Sequence, residues 1–91
     1  MAKASAVIKQ SPKVISRSGP FGVVILAPRD LEPRLLEGSA CLVWDLLLDW
    51  SSREAISQSL AELFGEDLEV VSRDVEMLID ELIATEALVV S

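Results

Sequence analysis

A mixed α+β fold, with a small antiparallel sheet first and three helices after it, is the architecture this sequence predicts. Two observations carry it. Short β-branched runs punctuated by turn residues fill the first 38 residues, whereas apolar residues at helical spacing fill the rest. The charge divides at the same point: residues 1–38 hold six basic and three acidic residues, and residues 39–91 hold two basic and twelve acidic ones, within a net charge of −7.

Taken in order, Met1 to Ser5 reads as a frayed terminus, and residues 1–12 as a flexible N-terminal segment ahead of one domain at 13–91. Val14 and Ile15 suggest a first strand near Lys13 to Ser18, with Pro12 at its start, where a missing N–H costs nothing. Ser18, Gly19 and Pro20 mark a turn. Gly22 to Leu26 (GVVIL) is a second strand, buried on at least one face, and the short loop before it favours an antiparallel hairpin. Pro28 to Asp30 turns the chain again. Leu31 to Glu37 extends as a third strand, with Leu31, Pro33 and Leu35 on one face and Glu32, Arg34 and Leu36 on the other. A proline cannot donate to a ladder, so Pro33 places this strand at an edge of the sheet.

Gly38 and Ser39 break the strand and start a helix expected to reach Trp50, with Ala40, Val43, Trp44 and Leu47 as its apolar stripe. Leu42, Leu46 and Leu48 widen that stripe. Ser51 to Glu54 has the S-x-x-E form of a capping box, with Ser51 as cap. Ile56, Leu60, Leu63 and Phe64 then share one face, and Gly65 suits a left-handed stop. Glu66 and Asp67 cap a third helix running to about Thr85, with Val71, Val75, Leu78 and Leu82 as its core stripe. Beside them lie Val70, Asp74, Met77 and Glu81, two apolar residues among two acids. Ala87 to Val90 is apolar enough to pack back or to form a short last strand.

Composition narrows the function. With 51% hydrophobic and 25% charged residues the chain folds, but 91 residues leave little room for an enclosed catalytic cavity. There is no histidine and one cysteine, so a Cys/His metal cluster, a disulfide framework and a histidine-activated nucleophile are all excluded within one chain. Cys41 reads as a small apolar residue of the first helix. No phosphate-binding glycine loop or other catalytic signature occurs. The carboxylate pairs Asp45/Asp49 and Asp80/Glu81 fall on exposed helix faces. The expectation is a binding protein that is not an enzyme and needs no cofactor. No apolar run is long enough to span a bilayer and no secretory signal stands at Met1 to Gln10, so a cytoplasmic protein with no membrane partner is expected.

Three antiparallel strands with three helices, the last two joined by a short turn, outline a winged-helix-like domain. Such domains often bind DNA through a basic helix. Here the third helix carries six acids against Arg73, so nucleic acid is not the expected partner. An acidic winged-helix regulator, or a subunit whose apolar edge is buried in an oligomer, remains as an alternative.

The order of several dispersed residues resembles the PqqD-like proteins, precursor-peptide recognition elements of ribosomally made and modified peptides. The pattern consists of the strand Gly22 to Leu26, a turn with Leu36, Ser39 and Ala40, then Trp44, the SSREAI run at 51–56, Leu60, Phe64, the series Asp74, Val75, Leu78, Leu82, and Leu88. It covers roughly residues 14–90. The family often has asparagine where this chain has Glu37 and glycine where it has Glu86.

The resemblance implies that a leader peptide adds as an antiparallel strand to the third strand, its side chains entering a groove against the third helix. Carried over by position, the peptide-binding residues are Leu31, Glu32, Pro33, Arg34, Leu35 and Leu36 on the strand, and Val70, Arg73, Asp74, Met77, Leu78 and Glu81 on the helix. A stand-alone chain of this size is most similar to the leader-binding adaptors of lasso-peptide pathways, which present the precursor to a separate leader peptidase and cyclase.

Overall fold

The computed structural model describes residues 6–91, as six strands and three helices. In chain order they are β1 (Val7–Gln10), β2 (Ile15–Gly19), β3 (Gly22–Leu26), β4 (Arg34–Leu36), α1 (Ser39–Leu46), β5 (Ser51–Ser52), α2 (Arg53–Phe64), α3 (Leu68–Ala84) and β6 (Leu88–Val90). The strands form two three-stranded antiparallel sheets, ordered β5-β1-β6 and β2-β3-β4.

The β2-β3-β4 sheet is the one expected from sequence. Its hairpin pairs Ile15 with Leu26 and Gly19 with Gly22, so Pro20 and Phe21 form a two-residue turn. Val23 and Ile25 face the core while Val24 and Leu26 are only half-buried, the alternation of a strand covered on one side. Gly22 has φ 142°, and a Cβ there would lie 2.2 Å from the Leu36 carbonyl oxygen. Only glycine lets β4 approach β3 this closely, so the position of β4 depends on that one missing side chain.

The second sheet lies partly in a stretch expected to be flexible. Val7–Gln10 is its central strand, so ordered structure begins ahead of the boundary at residue 13; Met1 to Ser5, where a frayed terminus was expected, lies outside the described residues. Burial of Ile8, 2% exposed, holds the strand in place. So do hydrogen bonds from the Gln10 amide to the Leu47 carbonyl (2.8 Å), from the Gln10 side chain to the Trp44 carbonyl (2.7 Å) and from the Ser11 amide to the Ala87 carbonyl (2.9 Å). Its partners are the ends of other elements: β5 precedes α2 and β6 follows α3. The apolar residues Ala87 to Val90 thus find both fates expected of them, with Ala87 and Leu88 buried and 88–90 paired.

The first strand of the hairpin begins at Ile15 rather than Lys13, and its edge partner is shorter than expected. Leu31 and Glu32 form a bend, Pro33 is irregular, and only Arg34–Leu36 pair with β3. The reason is local: Asp30 Oδ2 accepts from the Ala27 amide (3.0 Å) and the Asp30 amide donates to the Ala27 carbonyl (3.0 Å), closing a turn that carries Leu31 away, fully exposed.

Helix α1 stops at Leu46, short of Trp50. Leu47 is its C-cap and is fully buried, whereas Leu46, Leu48 and Trp50 are exposed, so the stripe is narrower than the sequence suggested. Ser52, not Ser51, caps α2, its hydroxyl accepting from the Ala55 amide at 3.1 Å: both serines pair with β1, opposite Val7 and Ile8, and the helix begins one residue later than the capping box placed it, at Arg53. Ile56, Ser57, Leu60 and Ala61 form the buried face of α2; Leu63 and Phe64 lie outside it. Gly65 ends the helix in the left-handed region as expected, at φ 63°.

Asp67 caps α3 through the Glu69 amide. Its buried stripe is Val71, Val75, Ile79 and Leu82, with Ile79 in the central place expected for Leu78, which sits half-buried at the side. The C-terminus of α3 closes with two bonds, from the Ala87 amide to the Leu82 carbonyl (2.8 Å) and from the Glu86 amide to the Ile83 carbonyl (3.0 Å). This is the Schellman arrangement, and Glu86 takes its left-handed position at φ 66°. Trp44, 3% exposed, lies in the core shared by the sheets and all three helices.

Candidate functional site: the open edge of β4 and the flank of α3

Strand β4 pairs on one side only. Val23, Val24 and Ile25 of β3 stand opposite Leu36, Leu35 and Arg34, and among the described residues no strand meets its other edge. A row of unpaired backbone groups is therefore presented beside α3.

Helix periodicity sorts α3 into two flanks around its buried stripe. One carries Glu76 and Asp80, which Arg53 at the start of α2 holds at 3.9 and 2.8 Å. The other carries Asp74, Leu78 and Glu81, with Val70 and Met77 further round. Arg34 of β4 forms an ion pair with Glu81, which fixes that flank as the one facing the strand. Along the groove between them the chain of β4 runs opposite to α3, from the Arg34–Glu81 pair at one end toward Ser39 at the other.

At that second end lies a cavity of about 610 Å³. Ser39, Ala40 and Val43 of α1 form one wall, Leu60 and Phe64 of α2 the next, and Val71, Val75 and Leu78 of α3 the third. Glu66, between α2 and α3, and Asp74 are its acidic members.

Of the twelve residues expected at the site, the structure gathers Arg34, Asp74, Leu78 and Glu81 around this groove, with exposed Val70 and Met77 on its outer rim. Leu36 points into the core at 2% exposure, leaving its backbone as what the edge can offer. Leu35 points the other way, onto the outer face of the sheet beside Val24. Leu31, Glu32 and Pro33 precede the paired strand and are exposed. Arg73 falls on the far side of α3, toward Asp80 rather than toward β4. Sequence reasoning missed the cavity members of α1 and α2. Exposure of Phe64 at the end of α2 is a sign only the structure gives, since by spacing alone it is indistinguishable from core.

The family model described as coenzyme PQQ synthesis protein D (PqqD) matches residues 22–88. This chain belongs to the PqqD family. The match opens at Gly22, whose missing side chain admits β4, and closes at Leu88 in β6, so it spans the open edge and all three helices. No curated protein matches the chain. Among solved structures it is similar to the PqqD truncation of Methylobacterium extorquens PqqCD, determined by solution NMR and described as a functional, stand-alone recognition element for ribosomally synthesized and post-translationally modified peptides (RiPPs). The identity is 21%, the TM-score 0.72, and the likeness covers 91% of this chain and 88% of that one, which shows a shared fold. The PqqD fold is here a mixed α+β one with antiparallel sheets and three helices, and its likeness to a winged helix is loose.

No helix among the described residues is long and apolar enough to cross a membrane.

Proposed function

We propose that this chain binds the leader region of a ribosomally synthesised precursor peptide as an added strand on β4, and acts as an adaptor rather than an enzyme. The observation that carries this reading is the unpaired edge of β4 lying beside an α3 flank with exposed apolar residues, in a chain of the PqqD family. The M. extorquens relative, described as a stand-alone recognition element, supports it. Main-chain pairing supplies affinity, and alternate side chains of the peptide meet the groove and the outer face of the sheet. The precursor of a lasso peptide is the expected ligand, and a separate leader peptidase and a cyclase in the cytoplasm are the expected recipients. Acids on α3 favour at least one lysine or arginine in the leader.

The test is a titration of labelled protein with candidate leader peptides encoded beside this gene. Saturable shifts of the Arg34 to Leu36 amides, with Met77→Asp weakening binding about tenfold, or ~1.4 kcal/mol, are expected. Leu35→Asp should weaken it as well, through the outer face. Both positions are exposed, so thermal unfolding should scarcely move. Unchanged affinity in both variants would remove the groove from consideration.

A further inference from the structure

The cavity at the α1 end of the groove lies past the last residue of β4, and its lining is apolar residues together with two acids. Val43 and Leu60 are its buried apolar members and Phe64 a half-exposed one; Glu66 and Asp74 contribute the carboxylates. Neither acid forms an ion pair with any described residue, unlike Glu76, Glu81 and Asp80 on the same helix. The N-terminus of α1 at Ser39 also borders the cavity and brings roughly half a positive charge, but two carboxylates outweigh it about fourfold. The complement of such a space is a long side chain with an aliphatic stem and a cationic head.

We propose that this cavity takes the side chain of one lysine or arginine of the bound peptide, placed N-terminal to the residues that pair with β4. This rests on the strand-addition reading above and adds to it a residue class and a position. The position follows from direction. Each neighbouring pair in the β2-β3-β4 sheet is antiparallel, and a further strand that continues the pattern runs opposite to β4. Because β4 heads toward Ser39 and the cavity, such a strand comes from there and passes Leu36 before Arg34. The residue that reaches the cavity therefore precedes the paired segment, while the other end of the groove is already occupied by the Arg34–Glu81 pair.

The probe is a random peptide library displayed on phage and selected against the purified chain, with recovered peptides synthesised for titration. The result expected is a basic residue at a fixed distance before alternating apolar positions, in peptides that shift the β4 amides. Replacing that residue by norleucine, or combining Asp74→Asn with Glu66→Gln in the protein, weakens binding about tenfold. The same charge removal at Glu62 and Glu69, which do not line the cavity, changes it far less. Peptides that shift the β4 amides yet carry an aliphatic or aromatic residue there, or that bind equally well to the double variant, overturn the cavity assignment and leave strand addition standing. Peptides that bind without moving the β4 amides, or a selection that yields no binders, overturn strand addition and the cavity assignment with it.

Discussion

The two flanks of α3 are built from similar residues and put to opposite use. On the α2 side, Glu76 and Asp80 are gathered by Arg53, and Ile56 of α2 and Ile79 of α3 are fully buried members of the shared core. On the β4 side, Met77 and Val70 face solvent, and among the described residues Asp74 forms no ion pair and Arg34–Glu81 is the one ion pair to the strand. The helix keeps its stability on one side and its unsatisfied surface on the other, the division that the proposed peptide site requires. Contact with water is thus informative here only when read by flank.

Substitutions can break that division where it is deepest. Ile79→Ala, at a fully buried position between the flanks, should cost about 2–5 kcal/mol in chemical denaturation and reduce folded protein as well as binding. Trp44→Ala should cost a comparable ~3–5 kcal/mol from the α1 side of the same core. Gly22→Ala should be next, at about 1–3 kcal/mol of backbone strain, because the added Cβ would force β4 away from β3. Its amide shifts should concentrate at Leu36 and Glu37, and binding should fall more than stability alone accounts for. Glu86→Gly should raise stability by ~1 kcal/mol, since a left-handed residue loses its Cβ penalty while the exposed Arg29–Glu86 pair at 3.6 Å contributes little. Arg53→Ala should be smallest, at most about 1 kcal/mol measured by thermal melts, with peptide binding unchanged. A loss of binding in Arg53→Ala would mean that the flanks are not independent.

Much of this division was legible in the residues. The GVVIL strand, the Gly65 stop, the Asp67 cap and the stripe of Val71, Val75 and Leu82 are local signals, and each appears where its chemistry requires. Pro33 pointed to an edge strand and the structure has one there, although the proline itself stands just before the pairing begins. What the sequence hid was set by distant partners. Val7 to Gln10 has too few apolar residues to declare a strand, and its pairing with β5 and β6 depends on the ends of helices far along the chain. The cap of α2 is Ser52 rather than its neighbour Ser51, a shift of one residue between two adjacent serines that nothing local decides, since their pairing with β1 comes from far along the chain. Ile79 and Leu78 are adjacent and equally apolar, and a small rotation of α3 decides which becomes core. The cavity was invisible for a related reason: it is bounded by three helices, and no one of them carries a recognisable share of it. Glu86 gave the opposite lesson: the position at which the resemblance led one to expect glycine is left-handed in this chain, at φ 66°.

The central place of β1 has a consequence for how the molecule reaches its native state. Ile8 pairs with Val90, near opposite ends of the chain, whereas the β2-β3 hairpin joins residues close in sequence. Closing the larger loop costs roughly 2 kcal/mol more chain entropy, about 0.6 for each of some three doublings in length. The hairpin and the α2-α3 pair should therefore assemble first, and the sheet that sews the termini together should form last. Conservative truncations at Ile8 and Leu88 would then accelerate unfolding while leaving the folding rate nearly unchanged, whereas truncation at Ile79 would slow folding itself. In kinetic terms, β1 is a late clasp, closing a molecule whose open β4 edge is already in place.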